Sequence, residues 1–403
     1  MGRIGCEANH FRQANDYLCS VIMRFILVSP VMALLAFCTG NNRNTPDTDS
    51  LPKKDTQKVT DTAKLSVAAN AELTEFSKFI AGMSNNLQAA KKSATWTKST
   101  LGNDEKWNTL QQRIGNPIKN WISTAGLEQP GDPKTLFYPF AGGDFYYAHL
   151  FFPKADTIIM VGLEPTGTVF NPDQQSDSAL LVYLQNLPNS LFFPHRLGFF
   201  RTKSMAVDFR KGLLNGTLHT VLFYMARFNA NIHYIKHFNL DTAGIEVAQT
   251  SQGIAYKVGY SLDGDNHVRE LVYFSYDVSN AGLSRQPMLM KWLNKRGKVM
   301  TFFKAASYLM HYESFSTLRN FVNNRTVRLM QDDSGLPYVY MLNNGFDVKL
   351  LGRYTRTIPL FGREFQPDLK MAYGNGNIDS LPFLIGYNAQ FKECNLQSAR
   401  KKP

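Results

Sequence analysis

Cysteine is scarce: the 403 residues contain four, at positions 6, 19, 38 and 394. No CxxC pair and no Cys/His zinc spacing occurs, which excludes a disulfide scaffold and a zinc ribbon. The 28 Gly and 18 Pro are near average usage and exclude collagen-like or low-complexity chains. The only long uninterrupted apolar run, Phe25–Phe37, is well short of the roughly 20 residues that cross about 30 Å of hydrocarbon as a helix. Catalytic signatures are missing as well. GxSxG, Walker A and HExxH are absent, GNGNID at Gly374 lacks the third glycine of a dinucleotide loop, and DGDNHV at Asp263 lacks the glycine and terminal Glu of a calcium loop. With 44% hydrophobic and 13% aromatic residues, the chain can still bury a sizeable core.

The apolar run FILVSPVMALLAF follows Met23-Arg24, so it reads as the core of an export signal with a positive n-region. Met23 is the expected start of translation, and residues 1–37 form a signal region. The run ends in LAFC at Cys38, which looks like a bacterial lipobox, although Phe37 occupies a place that normally takes Gly, Ala or Ser. Cys38 is therefore the expected site of lipidation. The N-terminal MGRIGC fails as a myristoylation signal because Cys6 stands where Ser or Thr belongs. Residues 38–62 are rich in Asn, Thr, Asp and Lys with almost nothing apolar to bury, the composition of a flexible polar linker. Residues 63–403 then form the globular body, long enough for two lobes.

Lys and Arg number 44 against 32 acidic residues, a formal charge of +12. Without residues 1–37 the balance is 41 basic against 30 acidic, or +11. Such an excess favours anionic surfaces such as lipid headgroups or acidic glycans, or serves solubility alone. The basic residues are scattered, so no nucleic-acid stripe is expected. The expected location is the bacterial cell envelope, with the membrane reached through the N-terminal lipid.

From Leu65 to Leu87 apolar residues recur at steps of three and four, predicting an amphipathic helix. A second helical stretch carries Trp107, Leu110 and Ile114 and resumes after Pro117 with Ile118, Trp121 and Ile122. A sheet is expected after Pro130, with DTIIMVGLE as a buried strand. Residues 177–187, 216–228 and 302–321 read as helices. Residues 254–262 and 267–278 read as a hairpin about Asp263-Gly264. Two short strands are expected within 326–342, separated by Asp332-Asp333-Ser334-Gly335, and another within 347–354. Without a regular βαβ rhythm this predicts an α+β body, with a mixed or antiparallel sheet and an N-terminal helical layer.

FYPFAGGDF at 137–145, VGLEPTG at 161–167, KAASYLMH at 304–311, QDDSGLPY at 331–338 and LPFLIGY at 381–387 together resemble a group of uncharacterised bacterial proteins, exported or lipid-anchored. The resemblance spans the body after the linker and implies no activity, cofactor or catalytic residue.

The residues themselves offer candidates. Asp332 and Asp333 are adjacent carboxylates, a pattern that can raise one pKa and set an acid beside a base, or else cap a turn. Asp144 after Gly142-Gly143 is either a turn residue or an acid beside aromatic rings. Glu164 ends a buried strand, where α/β proteins often place ligands. Lys304, Ser307 and His311 would share one side of the helix expected there, the wetter face or a base beside a hydroxyl. Eight aromatic rings between Phe137 and Phe152 are mostly core, with Tyr138, Tyr146 and Tyr147 as candidates to line a sugar-binding groove. His233 and His237 share a face in helix or strand alike, but no nearby carboxylate completes a metal site. These patterns support an envelope lipoprotein acting as a binding or interaction module. The alternative is an envelope hydrolase using Asp144, Glu164, Asp332 or Asp333, with His311, on a glycan or ester. No cofactor and no metal is expected.

Overall fold

The computed structural model describes residues 68–197 and 212–402. The expected export signal, Cys38 and the expected polar linker lie outside the described residues. Ten strands form one mixed sheet: β1 (Thr135–Pro139), β2 (Thr157–Gly162), β3 (Ala230–Leu240), β4 (Glu246–Gln249), β5 (Ala255–Leu262), β6 (Arg269–Ser275), β7 (Val299–Phe303), β8 (Thr326–Gln331), β9 (Phe346–Gly352) and β10 (Asn395–Lys401). Their order is β4-β3-β5-β6-β2-β1-β7-β8-β10-β9. The five central strands β6, β2, β1, β7 and β8 are mutually parallel, and the outer ones are antiparallel. The body is therefore α+β.

The central strands bury side chains on both sides because both faces of the sheet are covered. Leu136, Tyr138, Ile158 and Met160 enter one core, while Phe137, Ile159 and Val161 enter the other. Against the first core pack the helices Ala71–Ile80, Asn116–Thr124, Phe145–Phe151, Asp177–Leu197 and Leu218–Arg227. The second is covered by Asn280–Arg285, Met288–Asn294, Ser316–Arg325 and Tyr338–Asn343. The N-terminal helical layer is thus present on the first face. Its leading helix starts at Asn70, whose side chain accepts the Leu73 amide at 3.0 Å. That helix buries Phe76, Phe79 and Ile80, each worth about 1.5–3 kcal/mol on leaving water.

The parallel centre is wound in two directions from β1. One path steps through β2 to β6 with helices on the first face; the other returns to β7 and β8 with helices on the second. Strand order reverses between β1 and β7, the position where open parallel sheets leave a crevice at the strand carboxyl ends.

Three elements differ from the sequence expectation. The helix expected through Leu87 ends at Ile80, before a turn at Gly82. Residues 302–321 are not one helix: β7 ends at Phe303, a loop follows, 3-10 turns cover Leu309–His311 and Glu313–Phe315, and the helix begins at Ser316. The run VMTFF is buried on both sides, so it lacks the alternation that marks a strand in sequence. The expected strand after Gly335 is instead the helix Tyr338–Asn343, entered through Pro337. The expected hairpin is present as β5 and β6, paired antiparallel.

Candidate functional site

Four of the candidate acids gather at one edge of the sheet, because each lies within a few residues of the carboxyl end of a parallel strand. Asp144 follows β1, Glu164 follows β2, and Asp332 and Asp333 follow β8. Lys304 follows β7, between the strands of Asp144 and Asp332. Every one of these side chains is buried, 1–3% exposed.

Asp144 caps the helix Phe145–Phe151 by accepting the Tyr147 amide at 3.3 Å on Oδ1. Its Oδ2 accepts the Tyr138 hydroxyl at 2.8 Å and lies 2.9 Å from Lys304 Nζ. That ammonium also stands 3.8 Å from the centroid of the Tyr147 ring, a cation–π contact. The pair spans the strand reversal, beneath the loops that leave β1 and β7. Because the carboxylate stands at the start of that helix, the Gly142-Gly143 turn makes no cradle for a phosphate. Burial and the charge of Asp144 hold the Tyr138 hydroxyl well above the usual phenol range, which keeps it a donor.

Glu164 folds back over the same turn. Its carboxylate packs on Gly142 and Gly162, where an added Cβ would stand 3.3 Å from Oε1 and 2.4 Å from Oε2 respectively. The Tyr273 hydroxyl donates to the Glu164 carbonyl at 2.9 Å and lies 3.5 Å from Oε2.

Asp332 both closes its own turn and ties two loops together. Oδ1 accepts the Ser334 amide at 3.0 Å, and Oδ2 accepts the Ala305 amide at 2.7 Å. Asp333 accepts the Tyr308 hydroxyl on Oδ2 and the Asn395 amide group at 2.9 Å on Oδ1. Burial raises the pKa of both acids, and the neighbouring Asp332 charge adds to the effect on Asp333, which is pushed up to about 7. The turn role and the raised pKa are therefore properties of the same pair.

Backbone strain concentrates here. Six non-glycine residues of the described chain have positive φ: Phe140 (61°), Asn229, Ala305 (51°), Ser307 (52°), Tyr308 (55°) and Lys392. Four of them lie in the two loops that leave β1 and β7, the strands between which the order reverses. The Tyr387 hydroxyl fits into the second loop, accepting the Ser307 amide at 3.1 Å and donating to the Ala305 carbonyl at 2.7 Å. Gly386 comes so close that a Cβ there would lie 2.9 Å from Asp332 Oδ2, with φ at +77°.

Other expectations need correction. His311 does not extend a helical face with Lys304 and Ser307, because those two belong to the loop. Its Nδ1 lies 3.7 Å from Glu364 Oε2, and burial pushes the imidazole down to about 4, so it is neutral at physiological pH. Tyr138, Tyr146 and Tyr147 are 1–2% exposed and present no ring face to a ligand; packing of so many rings drew them into the core. His233 sits on β3 with its Nε2 2.9 Å from Ser261 Oγ. Among the described residues no three His, Cys, Asp or Glu side chains converge to hold a metal. Two surface cavities of about 370 and 390 Å³ lie elsewhere, one beside the helix Ala71–Ile80 and one beside Ser178–Val182.

The sequence pattern does not single out Tyr387, and it assigns Lys304 to a helix instead of the loop after β7. The signal for Lys304 was present: it is the first charged side chain after the apolar run of β7, as Glu164 is after β2. Tyr387 carries no such signal, because its role depends on contact with residues some 80 positions away. No known protein family matches the chain, and no curated protein matches it in sequence.

Proposed function

We propose that the protein is a cell-envelope lipoprotein, anchored through Cys38, whose body is a binding module with its ligand site at the strand reversal between β1 and β7. One observation carries the placement of the site: four of the six positive-φ non-glycine residues occupy the loops leaving those two strands. Such conformations cost about 1–3 kcal/mol each, persist only where the surrounding structure enforces them, and cluster at active sites and ligand clamps. The Ser307 hydroxyl, 3.1 Å from the buried Tyr387 phenol that braces the loop, is the polar group a ligand would meet. The ligand class this favours is neutral and hydroxyl-bearing, because the acids behind the loop are already bonded.

The same geometry weighs against a carboxylate hydrolase. A general acid and base must reach substrate or water, whereas Asp144, Glu164, Asp332 and Asp333 are buried among protein partners. Thermal-shift screening of neutral sugars and polyols tests the proposal. A ligand that raises the melting temperature of the wild type but not of Ser307→Ala supports the site. Ligands that stabilise both proteins equally, or a screen with no ligand at all, contradict it.

A further inference from the structure

At the opposite edge of the sheet four turns meet: residues 294–298 before β7, 323–325 before β8, 344–345 before β9 and 401–402 at the end of β10. Side chains and backbone tie them together. Lys298 Nζ donates to the Asn324 carbonyl at 2.9 Å, and Lys401 Nζ to Asn323 Oδ1 at 2.6 Å and the Asn344 carbonyl at 2.5 Å. The Lys402 amide donates to the Gly345 carbonyl at 2.9 Å. Lys295, Arg296, Lys298, Arg325, Lys401 and Lys402 therefore share one region, and none of the four turns contains an Asp or Glu. Arg296 reaches Glu246 at 3.2 Å. The other five form no ion pair among the described residues. Burial, and to a smaller degree the neighbouring Lys298 charge, hold the Lys401 ammonium below its ordinary range. Leu342, whose carbonyl accepts the Gly345 amide at 3.1 Å, is 45% exposed beside these turns.

We propose that this basic edge rests on the anionic surface of a phospholipid bilayer. Crowded cations without carboxylate partners repel one another, and a layer of anionic headgroups relieves that repulsion. An exposed leucine among lysines suits the boundary between headgroups and acyl chains, where the apolar side chain is buried and the ammonium groups stay wet. An acidic polysaccharide is the weaker match: Phe346, the aromatic ring at these turns, is buried and cannot stack on a sugar. The edge lies across the sheet from the strand reversal, so a body seated this way keeps its proposed ligand site clear of the membrane. The proposal depends on the envelope reading only for the protein to meet a membrane at all.

The test is co-sedimentation of the full-length chain carrying Cys38→Ala, which cannot be acylated, with vesicles of phosphatidylglycerol or of phosphatidylcholine. Binding to phosphatidylglycerol alone is expected, lost as sodium chloride rises from about 50 to about 500 mM. Lys298→Glu with Lys402→Glu should weaken it at least roughly tenfold, and Lys402→Glu alone, whose side chain caps no carbonyl, by about fivefold. Lys236→Glu with Lys370→Glu changes the net charge equally at other exposed positions and should leave binding intact. Equal binding to both vesicles, equal weakening by the control pair, or retention on polygalacturonate without vesicle binding overturns the proposal. Because acylation is removed throughout, any of these results leaves the anchor at Cys38 untouched.

Discussion

Asp144 and Lys304 form an ion pair of 2.9 Å, fully buried, that joins the loop leaving β1 to the residue leaving β7. Each partner is held by more than the other: Asp144 by the Tyr138 hydroxyl and the Tyr147 amide, Lys304 by the Tyr147 ring. Removing one charge leaves the other stranded in the core. Lys304→Met is therefore expected to lose about 3–5 kcal/mol of stability. Asp144→Asn combined with Lys304→Met should lose less than the sum of the single changes, since no unpaired charge remains. Urea denaturation of the four proteins measures this; strict additivity would contradict the pair.

Asp333 gives a pH dependence of unusual sign. Its carboxyl is pushed up to about 7 in the fold, above its ordinary value of 3.8. Between those two pH values the folded state holds a proton that the unfolded state has released. The contribution of Asp333 to stability is therefore complete below the ordinary carboxyl range and is lost as pH rises toward 7. Asp333→Asn should flatten the fall in melting temperature between pH 4 and pH 8, with its most favourable effect at the alkaline end. A variant whose pH profile runs parallel to that of the wild type would rule this out.

Tyr387 is expected to act on the strained loop directly. Tyr387→Phe removes the hydroxyl that bonds the Ser307 amide and the Ala305 carbonyl, with a loss of about 1–2 kcal/mol. The Ser307 amide should then exchange its hydrogen faster, while amides in β1 and β2 keep their protection. Unchanged exchange at Ser307 would show that other contacts hold the loop.

Much of the fold is legible in the sequence where one physical signal dominates. The apolar period of three and four from Leu65 marks the helix Ala71–Ile80, and alternation about Asp263-Gly264 marks β5 and β6. β7 is not legible, because a strand covered on both faces reads as an apolar run of either kind. The parallel centre is also hidden, since β3, β4 and β5 interrupt the crossover from β2 to β6 and break its rhythm. For the site, the types and positions of Asp144, Glu164, Asp332 and Asp333 were visible, and their shared edge follows from strand order alone. Their burial was not, because it depends on Lys304, Tyr308, Tyr273 and Asn395 arriving from distant segments.

Intact-mass measurement on protein purified from the membrane fraction of its own cells tests the envelope proposal most directly. A mature chain beginning at Cys38, with diacylglycerol on its thiol and an acyl group on its amine, is the predicted result. An unmodified chain that retains residues 23–37 and is recovered with cytosolic proteins would contradict it.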